Sequence, residues 1–157
     1  MGLSYLKRAC NRLDEAKTQL DKLNYPESIS ASQECIELSI KAIYNFAKVK
    51  YPLEHAFEEE NFKRVLENIA KCTKIKKMER LFMISTFWSS MYNIAKYGYQ
   101  KINVGPEKLF QKKEAEFALT HAYEVCRKAT HIYYDCSPLY YGRSGYVVPA
   151  PSPSFSL

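Results

Sequence analysis

Gln33, Glu37 and Lys41 stand four residues apart in a stretch whose apolar pattern is helical, so they fall on successive turns of one helix. Such a set has two readings. In one, Glu37 and Lys41 form an i, i+4 ion pair and Gln33 hydrogen-bonds within a helix interface, fixing its register. In the other, Lys41 and Lys96 line a cleft for a phosphate, with Tyr97 or Tyr99 stacking on a base. His55 lies in a short connection, where a histidine either caps the loop through hydrogen bonds or moves a proton.

The other histidines are His121 and His131. Thr120, Glu124, Arg127 and His131 share one edge of a helix, which reads as a solvated face with a Glu124–Arg127 ion pair; the alternative is a catalytic arginine–histidine pair. Lys71, Lys74, Lys76, Lys77 and Arg80 form the strongest charge cluster. It either tracks a phosphate backbone or is a solvated loop, and no aromatic residues are interleaved with its lysines. No Walker loop, dinucleotide fingerprint, zinc-protease helix or nucleophile elbow occurs.

The elements that must position these residues are helices. Residues 3–23 repeat Leu6, Ala9, Leu13, Ala16, Leu20 and Leu23 at helical spacing. The stretch 28–49 carries two opposed stripes. Ile29, Ile36, Ile40, Ile43 and Ala47 lie on one side, and Ala31, Cys35, Leu38, Ala42, Phe46 and Val49 on the other. A surface helix needs one stripe, so this one is sandwiched, inside a bundle or between a bundle and a second copy. Pro26 suits its first turn and Pro52 its end.

A shorter third helix spans 58–71, with Phe62, Val65, Leu66 and Ile69 as its apolar face and Glu58, Glu59 and Glu60 near its start. A fourth, aromatic helix runs from 77 to about 99 with two stripes: Leu81, Ile84, Trp88, Met91 and Ala95, then Met83, Phe87, Ile94 and Tyr97. Residues 101–110 read as a loop. The fifth helix, 111 to about 135, is rich in small residues at Ala115, Ala118, Ala122 and Ala129, which suits close packing on a central partner. Residues 137–157 hold four prolines and lack any period, and read as a disordered or extended tail. The reading is therefore an all-α bundle of about five helices over 1–136, followed by the tail.

The chain has 157 residues, 46% hydrophobic and 25% charged, which fits one globular domain. Its net charge of +6 is compatible with nucleic acid, nucleotide or acidic-protein partners. No apolar run reaches the length of a membrane span and no secretory h-region is present, so a cytoplasmic location is expected. The five cysteines include no C-x-x-C pair and are expected to be reduced. No cofactor or metal is implied.

Gln33, Glu37, Lys41 and Ala42 resemble the second-helix signature of HEPN domains (higher eukaryotes and prokaryotes nucleotide-binding), approximately A-Q-Q-A-x-E-x-x-x-K-A-L. Pro52 and His55 resemble that family's loop of a proline and then a histidine. Ala95, Lys96, Tyr97 and Gly98 resemble its A-R-Y-P/G element, and residues 114–122 its alanine-rich last helix. The resemblance covers about residues 3–135. It implies an antiparallel helical bundle, usually homodimeric, and a partner such as a minimal nucleotidyltransferase in a toxin–antitoxin-like pair. Many members are metal-independent ribonucleases with an arginine followed after four to six residues by a histidine. Here that motif is absent: Arg127 and His131 are separated by three residues, and Lys96 replaces the arginine of A-R-Y, losing its planar fork. The expectation is a non-catalytic module binding nucleotide or RNA phosphates or a partner protein. The alternatives are a ribonuclease and a structural dimerisation unit.

Overall fold

The computed structural model describes residues 1–52 and 59–136; His55 and the 137–157 tail lie outside them. Its helices are α1 (Gly2–Asp21), α2 (Tyr25–Phe46), α3 (Glu59–Ala70), α4 (Met78–Tyr97), α5 (Pro106–Leu109) and α6 (Lys112–Cys136). The described residues form no strand. The all-α expectation holds. The predicted loop before the last helix is in fact a 3-10 turn (Gln100–Ile102) and the single-turn α5, which Pro106 starts.

α2 is the axis of the bundle. α1 runs antiparallel to it: the Gly2 amide donates to the Asn45 carboxamide at one end, and the Ser28 hydroxyl to the Ala16 carbonyl at the other. α6 runs parallel to α2, since Cys35 meets Ala122, and Phe46 meets Tyr133. The small stripe of α6 is buried throughout, as are Leu6, Ala9, Leu13 and Ala16 of α1. α4 lies antiparallel to α6, with Arg80 beside Glu124 and Phe87 beside Phe117.

Both stripes of α2 are thereby covered within one chain, and only Glu27 and Asn45 of the helix are exposed. The excess apolar surface that suggested a second copy at α2 is absorbed by α1, α4 and α6. On α4 only one stripe is buried. Met83, Phe87 and Tyr97 of the other face solvent.

α2 starts a turn earlier than its apolar pattern suggests, because Pro26 is compatible with the first turn. It stops before Pro52, at Ala47, where Lys48 turns left-handed. α4 ends at Gly98 (φ 72°), where a Cβ would stand 2.2 Å from the Val104 carbonyl oxygen. Only glycine fits that approach.

The cysteines are not all reduced. Cys72, just after α3, and Cys136, at the end of α6, form a disulfide with Cα atoms 5.1 Å apart. Cys10, Cys35 and Cys126 remain free, with Cys10 and Cys126 sulfurs 3.6 Å apart between α1 and α6. Each thiol's contact with the other, together with burial, raises the Cys10 pKa, so this thiol acts as a small apolar group.

Candidate functional site: a polar cavity between α2 and α4

A cavity of about 520 Å³ opens between α2 and α4, within the size range of small-ligand sites. Its buried lining, Gln33, Ile36 and Trp88, makes the floor. Glu37, Tyr51, Tyr92 and Asn93, with hydroxyls from residues 85, 86, 89 and 90, make the walls and rim. The polar character follows from α4, which places Ser85, Thr86, Ser89 and Ser90 on the side facing α2 and away from the core.

Gln33 is 5% exposed, and its amide nitrogen donates to the Trp88 carbonyl. A carbonyl only accepts, so the amide cannot flip, and Oε1 is the buried atom that this bond leaves over. Oε1 has no hydrogen-bond partner. An unfilled buried acceptor of this kind costs about 1–3 kcal/mol, a penalty that a donor would relieve.

Both sequence-predicted lysines stand next to this cavity without lining it. Lys41 donates to Glu37 at 2.5 Å and sits 5.4 Å from the centroid of the Tyr51 ring. Lys96 donates to the Tyr92 hydroxyl at 3.1 Å, a contact that raises its pKa and keeps it cationic. Glu37, Tyr51 and Tyr92 all line the cavity, so each lysine is tied to its wall. Burial first, then the Glu37 charge, push the Tyr51 hydroxyl up to about 12, so it stays a neutral hydrogen-bonding group. Tyr97 and Tyr99 are exposed and are not lining residues. The aromatic rings at the cavity are instead Trp88, Tyr51 and Tyr92. Serines and threonines on an aromatic helix were the available signal for this wall.

Behind the floor runs a second polar chain. The Trp88 indole donates to His121 Nδ1 at 3.0 Å. His121 Nε2 lies 3.4 Å from the Arg80 guanidinium, and Arg80 Nε is 3.1 Å from both Glu124 oxygens. Lys128 also pairs with Glu124, at 3.4 Å. Glu124 is therefore paired across helices with Arg80 and along α6 with Lys128, and the expected Glu124–Arg127 pair is not formed. Burial pushes the Glu124 carboxyl up, but Arg80 and Lys128 together outweigh it and hold it below the usual range.

Arg80 and His121 form an arginine–histidine pair in space that no linear spacing reveals. An indole N–H only donates, so the His121 lone pair is at Nδ1 and is occupied, while the neutral ring's proton sits on Nε2 facing a second donor. Burial, then Arg80, lower the His121 pKa, with Glu124 opposing. Arg127 and His131 are both exposed on α6. Withdrawing Arg80 to Glu124 leaves the basic cluster to Lys71, Lys74, Lys76 and Lys77, all exposed. Among the described residues, no group of three or more His, Cys, Asp or Glu could hold a metal, and no helix is long and apolar enough to cross a membrane.

This bundle, with the glutamine–glutamate–lysine series on its central helix, defines a HEPN-type module. The HEPN domain family model matches residues 3–132, and the chain belongs to that family. No curated protein and no solved structure matches it. Membership supports a nucleotide- or RNA-related module in general terms.

Proposed function

We propose that this HEPN protein is a non-catalytic binding module that takes a nucleotide, free or as part of an RNA, in the α2–α4 cavity. The base enters the cavity beside Tyr51 and Tyr92, and Lys41 and Lys96, held next to those walls, meet the phosphates. The observation that carries this reading is the polar cavity between α2 and α4, whose lining includes Gln33 and Glu37 of the family's signature.

Trp88 is the only tryptophan, so its fluorescence reports on the cavity floor directly. Titration with nucleoside monophosphates is expected to saturate. Lys41→Ala and Lys96→Ala are expected to weaken binding severalfold and leave the helical signal unchanged. No saturable change with any nucleotide overturns the reading. So does cleavage of an RNA pool by chelator-treated protein, which would establish the ribonuclease alternative.

A homodimer belongs to the same proposal. The outward stripe of α4, Met83, Phe87 and Tyr97, continues onto Phe117 of α6 and supports self-association through that face. Phe87→Ser is expected to give monomers by light scattering. A minimal-nucleotidyltransferase partner rests on the family resemblance.

A further inference from the structure

We infer that the Cys72–Cys136 bridge is an exchange site for small anionic thiols such as glutathione, attacked at Cys72, and that its opening unfastens α3 and the link after it from α6. The site is separate from the α2–α4 cavity and does not depend on the nucleotide reading.

The two ends of the bridge have unlike surroundings. Cys72 is exposed in the link between α3 and α4, whereas Cys136 is half-buried in the last turn of α6. Lys71 adjoins Cys72, and Lys74, Lys76 and Lys77 follow it, all exposed. Beside Cys136 stands Asp135, whose carboxylate accepts from the Thr73 hydroxyl. That is one negative charge against the four positive ones of the link. An incoming anion is therefore drawn to the Cys72 end and finds a carboxylate next to Cys136.

The incoming thiolate attacks Cys72 Sγ. A new sulfur–sulfur bond forms there as the bond to Cys136 breaks, and Cys136 leaves as a thiolate that takes up a proton. A second thiol molecule then attacks the small-molecule sulfur of this mixed disulfide. Cys72 is released and protonated, and the small thiols depart as their own disulfide. Two small thiols are oxidised and one bridge is reduced.

The bridge is the strong tie at this corner. α3 has 12 residues, too few for a helix to persist alone. Phe62 packs on Phe82 of α4 with ring centroids 5.1 Å apart, and the Asn68 amide donates to the Ala47 carbonyl at 3.0 Å. On α6 the link is held otherwise by Thr73 on Asp135 and by Lys128 donating to the Lys77 carbonyl at 3.1 Å. Both are exposed hydrogen bonds that water can replace.

The test treats the full chain with glutathione, β-mercaptoethanol or cysteamine, which are anionic, neutral and cationic. Each rate of bridge opening is divided by that thiol's rate on a neutral small disulfide. The corrected order is expected to run glutathione, β-mercaptoethanol, cysteamine at low salt. It is expected to converge near about 1 M salt, where the screening length is about 3 Å. Peptide mass spectrometry of the acid-quenched reaction should place glutathione on Cys72. Lys74→Glu with Lys76→Glu is expected to reverse the order. After full reduction, amide exchange should quicken about tenfold or more in α3 and residues 71–77 while α2 stays protected. A flat order, one led by cysteamine, or glutathione found on Cys136 overturns the exchange site. Unchanged protection in α3, or an equal loss in every helix, overturns the unfastening. The wild-type rates decide the matter even where the double variant fails to fold.

Discussion

The Trp88 indole N–H donates to Nδ1 of His121, and this one bond fixes the imidazole tautomer. Protonating the ring would require a proton on Nδ1, breaking the bond and adding a charge beside Arg80. The folded pKa therefore lies below the unfolded value of about 6.5. As pH falls through that value the unfolded chain binds the proton first. Stability is thus full above it and declines as pH falls towards the folded pKa, below which the loss stops growing. Thermal melts between about pH 8 and pH 5.5 should show a falling midpoint, and His121→Gln should flatten the slope. Glu124, whose pKa is depressed, acts only at lower pH, where its contribution is lost as the carboxylate protonates.

Ser32 is fully buried on α2, and its hydroxyl has no hydrogen-bond partner. Ser32→Ala removes a desolvated polar atom without opening a large space. The variant should be neutral or more stable by up to about 1 kcal/mol, read as an unchanged or higher urea midpoint at constant slope.

Gly98→Ala should have the opposite effect. The residue combines a positive φ with a Cβ position overlapping the Val104 carbonyl, and that carbonyl already accepts from the Tyr99 amide. A loss of more than about 1 kcal/mol in a denaturant titration is expected.

The Cys72–Cys136 bridge predicts three reactive thiols in denaturant and five after reduction. It joins positions separated by 64 residues. Chain-entropy arithmetic puts its contribution near 4 kcal/mol, so reductant, or Cys72→Ser with Cys136→Ser, should lower the melting midpoint clearly.

Much of this fold was legible in the apolar periodicity. Both faces of α2, the small stripe of α6 and the Phe62, Val65, Leu66, Ile69 face of α3 read directly, because burial at helical spacing writes itself into residue type. The Glu37–Lys41 pair was legible for the same reason, being local. What escaped was non-local. Arg80 meets His121 across 41 positions, Gln33 meets Trp88 across 55, and Cys72 meets Cys136 across 64. Spacing along one helix carries no record of such pairings. The cavity was missed because serines and threonines on α4 read as a solvated edge, and their role appears only when α2 stands opposite. Leu23 shows the converse: its apolar type continues the α1 stripe, yet the chain has already left the helix and the side chain is exposed.

The bridge between Cys72 and Cys136 turns the chain from residue 72 to residue 136 into a covalent ring that contains α4, α5 and α6. A protease cutting anywhere within that ring, for example near the exposed Lys101, opens it without releasing a fragment. Under oxidising conditions a nicked molecule would therefore keep its full mass and still hold both walls of the cavity. Only when the bridge is reduced does a single cut become a separation into two pieces.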